Sequence, residues 1–211
     1  MMGLLRKDLY LIRKDETTRF ILGMAALIVV LGATGVYGTS VVSCGLMVLF
    51  FLQLVLYTCE LDAVARWDRF AACAPCTRDG VVAAKYLLAL ILLGTGLLLA
   101  FLHGLLLLAL GRDGGGLTAA LRSAAFGGGL GCFVAAGALP IRFKLGGWHG
   151  MGWQFLWGAG TFALLVFGGG ILALRLHVEL AVVWAWSLLP GAALLGVSYP
   201  LSLRFYRTRE F

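Results

Sequence analysis

The chain has 211 residues, 61% of them apolar and 13% charged, with a net charge of +7. An ordinary soluble domain is roughly 45–50% apolar and about 25% charged, and a fold of this size cannot hide the excess behind a polar surface. With a mean hydropathy of +0.96, the composition excludes a secreted, disordered or nucleic-acid-binding domain and predicts an integral membrane protein.

Residues 1–19 are patterned. At about 100° per residue, Met2, Leu5, Leu9 and Ile12 fall on one stripe, and Arg6, Lys7, Arg13 and Lys14 lie beside one another. This predicts an amphipathic helix in the headgroup region with its basic side towards lipid phosphates. A plain charged flank is the alternative. A cleaved signal is not expected, because its apolar core of about 7–15 residues follows a short basic segment, whereas 19 residues precede the first apolar run here.

Six runs are long and apolar enough to cross a hydrocarbon core of about 30 Å, which takes about 20 helical residues: 20–37, 40–59, 81–110, 117–140, 151–174 and 180–203. None alternates apolar and polar residues as a barrel strand does, so the expected fold is all-α with six transmembrane helices. The third run carries Lys85 near its start, where the ammonium is expected to snorkel to the interface. Of the seventeen Lys and Arg, fourteen fall on the side shared by the termini, the second-to-third connection and the fourth-to-fifth connection. Only Arg112, Arg122 and Arg175 fall on the other. Positive charge collects on the cytoplasmic side, which places both termini in the cytoplasm.

The second-to-third connection, Glu60 to Lys85, holds eight charged residues. Arg66-Trp67-Asp68-Arg69-Phe70 mixes charge with two large aromatics, the composition of a protein contact. A helical hairpin with solvated charges is the competing reading. Pro75 breaks the chain, and Thr77 or Asp79 can cap the helix that becomes the third span.

These residues carry a resemblance. Trp67, Asp68, Arg69, Phe70, Pro75, Arg78, Lys85, Tyr86, Leu87 and Leu88, with the opening Gly3-Leu4-Leu5-Arg6-Lys7-Asp8-Leu9-Tyr10, resemble the ABC-2 type permeases, small six-span subunits of ABC exporters. Cys76 and Thr77 stand where members usually carry a branched apolar residue and Ser. The resemblance implies a permease half in a bacterial plasma membrane, paired with a second half, expected to be an identical chain, and with two cytoplasmic ABC ATPases. It implies a coupling helix at Arg66, Trp67, Asp68, Arg69 and Phe70, seated on the ATPase. Glu60 and Asp62 would brace it by pairing with nearby Arg. The short glycine-rich connection from Ile141 to Gly150, with Arg142 and Lys144, would touch the ATPase more weakly.

Catalytic patterns are missing from the sequence. No Gly-Lys pair occurs, so no phosphate loop ending Gly-Lys-Ser/Thr is present. ATP and Mg are therefore expected on a partner, and no cofactor on this chain. His103, His149 and His177 are scattered without zinc spacing. The serine-hydrolase elbow fails at Pro200 in Gly196-Val-Ser198-Tyr-Pro200. Asp79-Gly80-Val-Val-Ala83 begins like a CDP-alcohol phosphotransferase motif but lacks the further aspartates needed for metal. Cys73-Ala-Pro-Cys76 has redox spacing without its strand-helix context.

Intramembrane polar groups are functional candidates. Gln53 and His103 either make an interhelical hydrogen bond or line a substrate path. Members that this chain resembles export amphipathic peptides of the phenol-soluble-modulin and antimicrobial type, and Phe50, Phe51, Phe155, Trp157 and Phe162 could supply an apolar cleft for such cargo. The rival functions are an exporter of drugs or lipids, and a stand-alone or uptake-type membrane binding subunit. The small-residue ladders Gly96-Ala100-Gly104 and Gly127-Gly131-Ala135 permit close helix packing, within the subunit or across a dimer.

Overall fold

The computed structural model describes residues 2–34, 40–67, 70–71, 77–112, 116–145 and 147–208. It is helical, with no strand among the described residues, and six of its helices are long and apolar enough to cross a membrane. In chain order these are α1 (Met2–Lys14), α2 (Glu16–Thr34), α3 (Ser40–Val64), α4 (Arg78–Ala109) and α5 (Gly116–Leu145). There follow α6 (Gly147–Ala163), a π-helical turn (Leu164–Gly168), α7 (Gly169–Leu176), α8 (Leu180–Trp186) and α9 (Leu188–Arg207). The fifth span is α6 with the π turn and α7, and the sixth is α8 with α9. Several helices run past their hydropathic edges. A helix satisfies its own backbone whether its side chains face lipid or water, so α3 continues to Val64 and α5 runs through Pro140 to Leu145.

The fourth span, α5, is the axis of the bundle. Two thirds of its apolar window is buried, against about a tenth for the fifth span. Its glycines explain this. A Cβ on Gly127 would lie 3.0 Å from the Cys44 carbonyl oxygen of α3, and one on Gly131 2.7 Å from both Val48 and Leu93. On α4, a Cβ on Gly104 would lie 2.9 Å from that of Ala120, and one on Gly96 3.3 Å from the Val48 Cα. Both small-residue ladders therefore pack inside the subunit, where they let α3, α4 and α5 approach to backbone contact.

Ion pairs sort the helix ends. Lys7 and Asp8 of α1 meet Asp62 of α3 and Lys85 of α4, and Arg207 at the end of α9 meets Asp79 at the start of α4. At the opposite end Arg122 meets Glu179 at 2.6 Å, and Arg112 reaches the Thr34 carbonyl. Both described ends of the chain therefore lie at one end of the bundle. The fifth span buries Gly150, Gln154, Thr161, Leu165 and Ala173, and exposes Phe155, Leu156, Phe162, Leu164 and Phe167.

Candidate functional site

The chemistry gathers at the end that carries the termini. α3 runs on to Val64, where Ala65 and Arg66 form a turn. Arg66 takes a left-handed backbone, φ +49°, which breaks the helix and directs Trp67 back towards α1. The Lys7 ammonium stands 4.3 Å from the centroid of the Trp67 ring, within range of a cation–π contact. Trp67 packs against Phe70 with ring centroids 5.0 Å apart. Trp67 is half-buried, while Phe70 is 62% exposed. The Trp67 indole N–H has no acceptor among the described residues. Asp68, Arg69, Cys73, Pro75 and Cys76 lie outside the described residues, as do the side chains of Trp148 and His149.

Beneath this aromatic pair lies a compact charge network. Lys85 is not at the interface, as snorkelling would place it; it is buried at 4% exposure. Its Nζ lies 2.7 Å from Asp62 Oδ2 and 3.0 Å from Asp8 Oδ2, and donates to Thr58 Oγ1 at 3.1 Å. Lys7 bridges the same two carboxylates, pairing with Asp62 and lying 3.2 Å from Asp8. Two lysines and two aspartates therefore sum to zero charge. An unpaired buried charge is costly, so the inward turn of Lys85 follows from two carboxylates waiting on α1 and α3. Asp8 itself is 1% exposed, which shows that α1 buries Leu4 and Asp8 and leaves Met2 and Leu9 outside.

A second brace ties α3 to α5 and α6. Arg142 is buried, donates from Nε to Gln154 Oε1 at 2.7 Å, and faces Glu60 at 3.8 Å. Asp62 thus pairs with lysines, and Glu60 with an arginine of the other connection. Thr77 caps α4 through its hydroxyl, which accepts from the Gly80 amide at 3.1 Å. Asp79 turns instead to Arg207. On the linker between α1 and α2, the Asp15 carboxylate accepts from the Thr17 amide at 2.9 Å. A hydrogen bond with the Tyr57 hydroxyl, and these Thr17 contacts, hold the Asp15 carboxyl below the usual carboxylate range.

The residues named for an apolar cleft lie on three helices, α3, α4 and α6. Phe50, Phe51 and Gln53 are half-buried on α3, and both phenylalanines pack against the core. His103 is buried and pairs through Nε2 with Ser43 Oγ at 3.0 Å, an interhelical bond between α4 and α3. Phe155 and Phe162 are exposed on α6. Only Trp157 of this set lines the apolar groove of about 610 Å³ between α5, α6 and α9. Ser198, centre of the failed hydrolase elbow, contacts the Tyr86 hydroxyl at 2.8 Å and the Leu195 carbonyl, so its hydroxyl is spent on packing. No group of three or more His, Cys, Asp or Glu able to hold a metal occurs among the described residues.

Comparison with known proteins places this arrangement. Residues 3–207 match the family described as ABC-2 family transporter protein, and the chain belongs to that family. No curated protein and no solved structure matches it. The chain is accordingly a multi-pass permease subunit of an ABC transporter, a transport component that is not itself catalytic, and membership implies an ABC ATPase as its partner.

Proposed function

We propose that this permease works in an ATP-driven exporter and takes its stroke from the ATPase through Trp67 and Phe70. The observation that carries the reading is the exposed Phe70 ring held on half-buried Trp67, directly above the Lys7–Asp62–Lys85–Asp8 network. An exposed aromatic on a rigid support is what a protein contact needs. Arg66, Asp68 and Arg69 flank it in sequence and supply the charge of the contact. Glu60, Asp62 and Arg142 serve as braces, because their partners lie inside the bundle.

In this mechanism two ATPases bind ATP and Mg and close on each other. The connection after α3 moves with them. Through the charge network that movement reaches α1, α3 and α4 together, because Asp8, Asp62 and Lys85 belong to those three helices. Two permease halves, an identical pair in the simplest assembly, then tilt about their shared face and alternate the access of a central cleft. The side carrying the termini is the cytoplasm, in keeping with its basic residues, and the membrane is the bacterial plasma membrane.

The cargo is an amphipathic peptide, of the phenol-soluble-modulin or antimicrobial class. Phe155 and Phe162, seven residues apart, share a face of α6. With the half-buried Phe50, Phe51 and Gln53 on α3 they supply a wall that accepts the apolar side of a helix.

The test is ATP hydrolysis by the reconstituted complex. Trp67→Ala with Phe70→Ala should abolish stimulation by an amphipathic helical peptide, and Phe70→Ala alone, at the exposed ring, should do so with thermal unfolding of the permease unchanged. Full stimulation in the double variant would sink the coupling role and favour an uptake-type binding subunit. Stimulation of the unmodified complex by a sugar or small ion, and never by such peptides, would remove the cargo assignment alone.

A further inference from the structure

The groove between α5, α6 and α9 serves neither the ATPase contact nor the α6 face that carries Phe155 and Phe162. At about 100° per residue, Trp153 and Trp157 fall together on the opposite face of α6 from those phenylalanines. The groove is about 610 Å³, within the range of about 300–1,000 Å³ typical of small-molecule sites. Gly137 makes it possible: a Cβ there would fall inside the Trp157 ring, which lies flat on α5 and donates its indole N–H to the Phe133 carbonyl at 3.0 Å.

Its wall is apolar along its length, with one charge. The α9 side runs from Leu194 to Phe205, twelve residues whose eleven steps rise about 16 Å at about 1.5 Å each. That is about half of a 30 Å hydrocarbon core, the depth of one leaflet. The charge is at the end that carries the termini. Lys144, in the last turn of α5, stands 5.2 Å over the Phe205 ring. It forms no ion pair among the described residues, whereas Lys7, Lys85, Arg142 and Arg207 at the same end of the bundle each have a carboxylate.

We propose that this groove is a binding site for an anionic phospholipid of the leaflet on the side of the termini, its acyl chain along α9 and its headgroup phosphate at Lys144. The shape matches one chain in one leaflet, and Lys144, the one cation among the described lining residues, sits where the phosphate of such a lipid would lie. A basic residue between spanning helices at the membrane surface is the pattern by which anionic headgroups are held.

The test places a photoreactive benzoyl-phenylalanine at Val197, on the groove wall, in the full-length chain. The chain is reconstituted into vesicles of equimolar phosphatidylglycerol and phosphatidylcholine. Mass spectrometry of the cross-linked peptide should show an excess of phosphatidylglycerol of about fivefold, the preference one basic residue near an anionic surface confers. Lys144→Gln should bring the ratio to about one, and Lys144→Arg should preserve it. The same probe at Phe167, far from the groove, should give a ratio near one in every variant. A ratio of one at Val197 in the unmodified chain would overturn the site, as would an excess that survives Lys144→Gln. Cross-links to a second copy of the chain in place of lipid would assign the groove to the subunit interface and overturn it equally.

Discussion

Replacing Lys85 by Met is the sharpest perturbation of the charge network. The side chain is 4% exposed and lies within 3.0 Å of two carboxylates, one of them, Asp8, only 1% exposed. The substitution preserves length and apolar stem but leaves Asp8 and Asp62 sharing the single ammonium of Lys7, a net charge of −1 in a buried cluster. Breaking a buried pair from one side costs about 3–5 kcal/mol. In a chain of this size each kcal/mol shifts Tm by about 2–4 °C, so a fall of about 6–20 °C is expected. The assay is thermal unfolding of the purified chain in mild detergent, followed for Lys85→Met, Asp8→Asn and the pair together. The double variant restores neutrality, so it should regain at least half of the loss, with a coupling of about 0.5–3 kcal/mol between the two sites. Two changes that simply add, or a Lys85→Met variant within 1 °C of the unmodified chain, would refute the network as a stabilising unit.

The remaining predictions concern packing and acid stability. Gly104→Val should cost about 1–3 kcal/mol by overpacking, because a Cβ there already meets that of Ala120 at 2.9 Å. Gly94→Ala on the same helix should be neutral or stabilising by up to about 1 kcal/mol, since nothing lies within 4 Å of its Cβ. Equal effects in a side-by-side unfolding series would contradict the packing of α4 on α5. The Asp15 carboxyl is held low in the folded state. Its stabilising contribution is therefore present above the unfolded carboxylate pKa of about 3.9 and is lost as pH falls through the lower folded value. Asp15→Asn should flatten that acid limb and leave the profile near neutral pH parallel to the original; an unchanged acid limb would remove the assignment.

The spans and the side shared by the termini were legible because each is written locally. A run of apolar residues and a count of lysines and arginines need no knowledge of tertiary contacts. The charge network was not. Lys85 reads as an interfacial lysine until Asp8 and Asp62 are brought to it, and Asp8 is 77 positions away. The N-terminal helix was legible as a helix but its inner face was not. The apolar stripe of Met2, Leu5, Leu9 and Ile12 names Leu5 and Ile12 correctly as packed against the core. Yet the buried face also takes Asp8, which hydropathy assigns to water and Lys85 draws inward. Glycine ladders announced close approach without their partners, since a missing side chain carries no direction. The π turn at Leu164–Gly168 has no sequence signal of its own. It presents the Leu165 carbonyl to the Trp184 indole N–H at 3.0 Å, a contact with a residue of α8.

The most direct measurement replaces Phe70 with a photoreactive phenylalanine analogue in cells of the native host, with the same probe at Phe20 as the lipid-facing control. Phe20 and Phe70 are similarly exposed, at 69% and 62%. The account predicts that Phe70 cross-links to a separate polypeptide carrying a phosphate loop, while Phe20 does not. Cross-links from Phe70 only to lipid or to this chain, with the complex intact, would contradict the claim that the ATPase moves the permease through this residue.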